Sequence, residues 1–182
     1  MKKLMFLLFL LASAPSLNAQ ELSLSTNVAD YLAGGTMNLE FAYGFARHWS
    51  VNAGAKYNPF SYGKGTEKIQ LKQRSLSAGA RWWPWHIYSG WWVGAKLQYQ
   101  EFNEGGYGGP LTTQGDRYGG GLSAGYSRML GEHFNIDFGL GLWTGYSIYS
   151  IYQCQTCGRR LSSGSKAFVL PNDIILGINY IF

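Results

Sequence analysis

The sequence predicts an all-β fold: an eight-stranded antiparallel transmembrane β-barrel of the outer-membrane type. Three observations predict it. First, Met37, Leu39, Phe41, Tyr43 and Phe45 alternate with Thr36, Asn38, Glu40, Ala42 and Gly44. Strict alternation makes a strand with one apolar face and one polar or small face. Second, the pattern recurs about every ten residues up to Phe182, as expected when lipid wets one face and a lumen the other. Third, Met1-Lys2-Lys3, the apolar run Leu4–Ala12 and the small-residue stretch Ser13–Ala19 read as an export signal.

Eight strands follow from the alternation. The first covers about 21–28, with Leu22, Leu24, Thr26 and Val28 on one face, and the second is 36–46. The third is 49–57, with Trp49, Val51, Ala53, Ala55 and Tyr57 outward and Ser50, Asn52, Gly54 and Lys56 inward. The fourth, about 68–83, turns Leu76, Ala78, Ala80 and Trp82 outward and Ser75, Ser77, Gly79 and Arg81 inward. The fifth, 90–100, turns Trp91, Val93, Ala95, Leu97 and Tyr99 outward, leaving Trp92, Gly94, Lys96 and Gln98 inward. The sixth, about 117–128, has Tyr118, Leu122, Ala124 and Tyr126 outward. The seventh, 134–147, has Phe134, Ile136, Phe138, Leu140, Leu142 and Tyr146 outward. The eighth, about 168–182, presents Ile174, Leu176, Ile178, Tyr180 and Phe182.

Short connections (Ala46–His48, Pro84–Ser89, Met129–His133) alternate with mostly longer ones (Ala29–Gly35, Asn58–Glu67, Glu101–Asp116, Ser147–Ala167). Outer-membrane barrels have short periplasmic turns and longer external loops, so both termini are expected in the periplasm. The outward aromatics fall into two girdles. Phe45, Trp49, Trp82, Trp91, Tyr126, Phe134 and Phe182 lie at the short-turn end, and Tyr57, Tyr99, Tyr118 and Tyr146 at the long-loop end. Eight residue steps separate Trp49 from Tyr57 and Trp91 from Tyr99. At ~3.3 Å per step and a tilt of about 40°, that is a rise of roughly 20 Å. An apolar band is about 25 Å tall. A soluble barrel would bury its apolar face and leave no such rings outside.

Length and composition agree with this. The 182 residues are enough for one domain. A signal peptide is expected over 1–19 and the barrel domain over 20–182. The apolar run of the leader is too short to span a bilayer as a helix. No cysteine lies near the cleavage site, which argues against lipid anchoring. No later segment approaches the 18 apolar residues of a spanning helix. Losing Lys2 and Lys3 takes the formal charge from +5 to +3. The remaining basic residues are scattered, so nucleic acid is not an expected partner. The 7 Trp, 13 Tyr and 10 Phe suit membrane interfaces, and the 25 Gly suit a tightly filled barrel.

Two stretches carry a resemblance. Tyr57-Asn58-Pro59-Phe60 ends the third strand. Cys154-Gln155-Thr156-Cys157-Gly158 precedes Gly164-Ser165-Lys166, Pro171 and the terminal Ile178-Asn179-Tyr180-Ile181-Phe182. With the strand spacing, these resemble a family of small Gram-negative outer-membrane proteins classed as a domain of unknown function. That family is similar in architecture to the OmpA-like and OmpX-like eight-stranded barrels. The resemblance implies fold and location and brings no catalytic residues.

Five charges share the lumen-facing parity: Glu40, Lys56, Arg81, Lys96 and Asp137. Charges in a narrow lumen need partners, and eight strands leave just enough width for side chains to fill. A salt-bridged plug is the expectation. A gated ion path is the alternative. The inward glycines, which let bulky neighbours fill the lumen, favour the plug.

Cys154 and Cys157 are the only cysteines and fall on the longest loop. A local disulfide, a redox pair and half a zinc site compete. Zinc takes four N or S ligands, but His48, His86 and His133 all lie at short turns across the membrane. A redox CxxC opens a helix in a βαβ unit, and no such unit is predicted. A loop disulfide formed in an oxidising compartment is therefore expected. The same distribution argues against a lipid-modifying enzyme, since acyl transfer needs Ser and His together. Glycines at 105, 106, 108 and 109 suggest a flexible third loop, without the strand–loop–helix setting of a phosphate cradle. Arg159, Arg160 and Lys166 near the cysteines could touch lipopolysaccharide, though a solvated loop is the commoner explanation of such a patch.

The sequence thus predicts a non-catalytic outer-membrane barrel with a plugged lumen and no cofactor or metal. Its role would be structural or surface-interacting, through external loops or as accessory to an envelope complex. Outer-membrane lipid, lipopolysaccharide and an envelope protein are the expected partners. A narrow channel is the alternative.

Overall fold

The computed structural model describes residues 22–63, 68–106, 109–154 and 158–182, without the Asn172 side chain. The leader expected over 1–19 and Cys157 lie outside the described residues. In chain order the elements are β1 (Leu22–Asn27), α1 (Val28–Leu32), β2 (Met37–Ala46), β3 (Trp49–Asn58) and β4 (Ile69–Trp82). They continue with β5 (Gly90–Gly105), β6 (Thr112–Met129), β7 (Phe134–Tyr152) and β8 (Arg160–Ile181). Every strand runs antiparallel to the next, and β8 pairs back onto β1. The sheet therefore closes as an eight-stranded barrel. A two-residue strand, Ser61–Tyr62, lies against the start of β4.

The alternation read from the sequence sorts inside from outside. Leu76, Leu97, Leu122, Leu140 and Leu142 are exposed, while Asn52, Gln98, Asp137 and Asn179 are buried. All eleven aromatics assigned to the girdles are exposed. A soluble domain does the reverse.

Two expectations are corrected. Glu101–Asp116 and Ser147–Ala167 are not loops over most of their length. Glu101–Gly105 pairs with Thr112–Asp116, and Ser147–Tyr152 pairs with Arg160–Lys166. Apolar alternation stops there because mostly polar residues occupy both faces, while the backbone ladder needs no such pattern to continue. Strands β4 to β8 thus rise as a sheet beyond the row Tyr57, Tyr99, Tyr118 and Tyr146, and β1 to β3 do not.

The second correction is at Ala29–Gly35, where the sequence predicted a loop. Val28–Leu32 is a helix, capped by Asn27, whose side chain accepts from Ala29 N–H at 3.3 Å. Gly34 and Gly35 end it with φ of 77° and 68°, a region glycine adopts without steric cost. The Asn27 amide also donates to Ile174 O at 2.9 Å and accepts from Leu176 N–H at 2.9 Å. That side chain extends the β1–β8 seam where the β1 backbone leaves it.

Candidate functional site

The lumen is filled in layers. At the short-turn end the connection after β4 folds inward. Trp83, Ile87 and Tyr88 pack with Ala42, Trp92 and Ile181 into one buried apolar cluster. Trp83 meets Tyr88 edge-on at 5.8 Å between ring centres and Trp92 at 6.2 Å. Its indole N–H donates to Ser50 Oγ at 3.0 Å. Tyr88 has φ 61°, strained for a residue with a side chain. Two donors hold it there: Ser127 Oγ, at 3.1 Å, and Asn135 Nδ2 both reach its carbonyl. Trp83 ends the fourth predicted strand and Tyr88 falls in the turn after it, so the sequence singles out neither as part of a plug. A Trp just before and a Tyr within the longest of the three short turns were the available signal.

Above the plug lie the charges. All five predicted residues border one cavity of about 70 Å³, room for a few water molecules. They do not form one network. Arg81 Nη2 is 2.6 Å from Glu40 and Nη1 is 3.3 Å from Asp137. The Arg81 guanidinium carbon also sits 4.5 Å from the centre of the Trp92 ring. Lys56 lies 2.9 Å from Asp30 and 3.5 Å from Asp173. Lys96 pairs with Asp173 as well. Sequence reasoning missed both Asp30 and Asp173. Asp30 belongs to α1, which was expected to be loop, and reaches down into the barrel. Asp173 had the inward parity of the eighth strand and was readable. Among the described residues, four carboxylates face three cations in this layer.

Glycines make the space. A Cβ at Gly94 would come within 3.2 Å of Arg81 Cγ, and one at Gly141 within 3.0 Å of Asp173 Cβ. Above the charges is an amide layer. Asn58 Nδ2 donates to Gly34 O at 2.7 Å and to Thr36 Oγ1 at 3.0 Å, and Gln100 donates to Gln73.

At the raised end, Arg117 makes two bonds to Glu104, at 2.9 and 3.1 Å, and stacks 3.7 Å over Phe102. On the outward side Arg74 pairs with Glu101, and Tyr99 donates to Asp116 at 2.8 Å. A cleft of about 620 Å³ at this end is bordered by Tyr57, Lys72, Arg74, Phe102 and Tyr149.

The three histidines stay at the short-turn end. Each Nδ1 lies at a backbone carbonyl: His48 at Trp83 O (2.9 Å), His86 at Ile87 O (3.1 Å) and His133 at Ile181 O (2.9 Å). A carbonyl only accepts, so each Nδ1 carries the proton. Cys154 is disulfide-bonded, and Cys157, the chain's other cysteine, lies outside the described residues. Among the described residues no group of three His, Cys, Asp or Glu could hold a metal.

A family model described as a protein of unknown function (DUF3575) matches residues 5–182. No curated protein matches the chain.

Proposed function

The chain belongs to the DUF3575 family, proteins of unknown function, and we propose that it is a non-catalytic outer-membrane β-barrel acting through its raised hairpins. One observation carries the reading: the barrel is apolar outside and polar inside. The outward residues from Trp49 to Tyr57 on β3 and from Trp91 to Tyr99 on β5 include no charge. Outward charges begin just beyond, at Arg74, Glu101 and Asp116. Water would penalise that belt and lipid would not, and a closed barrel leaves no unpaired strand edge within it. Termini in the periplasm, raised hairpins outside the cell and the OmpA-like or OmpX-like architecture belong to the same proposal.

The filled lumen supports an interaction role. Trp83, Tyr88 and Trp92 close one end, and paired charges occupy the middle. The raised hairpins would meet lipopolysaccharide or an envelope partner. The engaged histidines, far from the raised end, support the absence of acyl-transfer chemistry. A second reading, a narrow channel, draws on the charge-lined cavity, but conduction would require the aromatic plug to move.

Detergent gels and planar bilayers test this. The unheated protein is expected to run as a compact band that shifts on heating, and reconstituted protein to show no steady conductance. Absence of the heat-modifiable band would overturn the membrane barrel. Steady openings abolished by Lys96→Ala would overturn the plug and support the channel. Co-purification from outer membranes in mild detergent then identifies any stoichiometric partner.

A further inference from the structure

The barrel seam is unequal. β8 runs Arg160–Ile181, but β1 pairs only with Gly177–Ile181. The Asn27 side chain carries the seam up to Ile174, and α1 packs against β8 next to it. Over Leu161–Val169, no described strand pairs with this edge. The other border of the raised sheet is closed. Ser61–Tyr62 pairs with Ile69 and Gln70, and Leu71 N–H donates to Phe60 O at 3.4 Å. An open edge offers alternate N–H and C=O groups to another strand.

The charge on this edge selects the strand. From Gly158 to Pro171 the chain carries Arg159, Arg160 and Lys166 and no Asp or Glu. Lys166 sits 5.3 Å over the Tyr149 ring, on the inner face of the raised sheet. A second copy of this edge would bring only like charge to it, with no acidic partner in any register, which disfavours self-pairing. An acidic strand would gain both the ladder and the charge pairing.

We propose that the free edge of β8 over Leu161–Val169 takes up an extended peptide strand bearing carboxylates. This deepens the hairpin-mediated role proposed above and rests on it for the side of the membrane from which the partner comes. Peptide binding itself can be measured on the full chain in neutral detergent, whichever membrane the barrel occupies. Failure of binding is therefore distinct from failure of the membrane reading.

The probes are labelled peptides of about ten residues, the length of a long strand: alternating Thr and Glu, alternating Thr and Lys, and the Thr/Glu peptide N-methylated at alternate residues. The readouts are fluorescence anisotropy and amide hydrogen exchange. The Thr/Glu peptide is expected to bind and to slow exchange at Leu161–Val169, while the Thr/Lys peptide does not. N-methylation and the double variant R160E/K166E should each weaken binding by at least about tenfold, an amount that exceeds a single exposed ion pair. Four results would overturn the proposal. They are equal binding of the N-methylated peptide, no binding at about 1 mM, protection of the same amides by anionic lipid micelles alone, and dimerisation through this edge.

Discussion

The ring of Trp92 occupies the space that a side chain at Gly125 would need. A Cβ at Gly125 would stand 2.6 Å from Trp92 Cζ2 and would press on the Phe138 carbonyl oxygen. The indole can shift, but the carbonyl belongs to the wall of the barrel. Gly125→Ala is therefore expected to destabilise the barrel by about 1–3 kcal/mol, the usual cost of overpacking. Urea titration of the heat-modifiable band checks it, and an unchanged midpoint would contradict the packing described.

Arg81 joins Glu40 to Asp137 across the lumen. Arg81→Met would strand two carboxylates away from bulk water. Removing one partner of a buried pair costs about 3–5 kcal/mol, and a loss in that range is expected. The triple variant R81M/E40Q/D137N should recover most of it, since neutral groups carry no unpaired charge. The same titrations on both variants measure the recovery.

Asp30 reaches Lys56 at 2.9 Å from a helix of only five residues. So short a helix does not persist by its own propensity. Asp30→Asn is expected to speed amide exchange over Ala29–Leu32 by at least about fivefold, which is roughly 1 kcal/mol. Exchange in the barrel strands should not change. Protection of α1 equal to that of the unaltered protein would mean the helix is held by other contacts.

Trp83 is fully buried at the centre of the plug. Trp83→Ala removes most of a large ring and should cost about 3–5 kcal/mol. If the variant still folds, planar-bilayer recordings should show conductance that the unaltered protein lacks. Silence from a correctly folded Trp83→Ala variant would locate the seal higher, among the charges.

Cys154 is disulfide-bonded. A maleimide probe is expected to leave the intact protein unlabelled and to react after reduction. Labelling before reduction would refute the bond.

Several parts of this molecule are legible without coordinates. The strand starts at Trp49, Gly90 and Phe134 agree with the sequence pattern to the residue, because apolar alternation begins abruptly after a polar turn. The five lumen charges also follow from parity. The upper ends of β5 to β8 do not, since the pattern fades where both faces carry mostly polar residues. The pairing among the charges does not either. In the sheet Arg81 stands opposite Ser50 and Gly94, yet it bonds to Glu40 on one side and Asp137 on another, across the barrel interior.

By itself the sequence determined which face each residue of the apolar belt takes, since a period of two leaves one choice of face once one side is apolar. It also determined the strand count and the positions of the short turns. Only the tertiary structure decided how the lumen is closed and where the sheet is left open. Both depend on contacts between segments far apart in the chain: Trp83 against Trp92 across a folded-in turn, Asp30 above Lys56, and β1 ending at Asn27 while β8 runs on. Periodicity is a local property of the chain. Closure of a barrel is a condition on all eight strands at once.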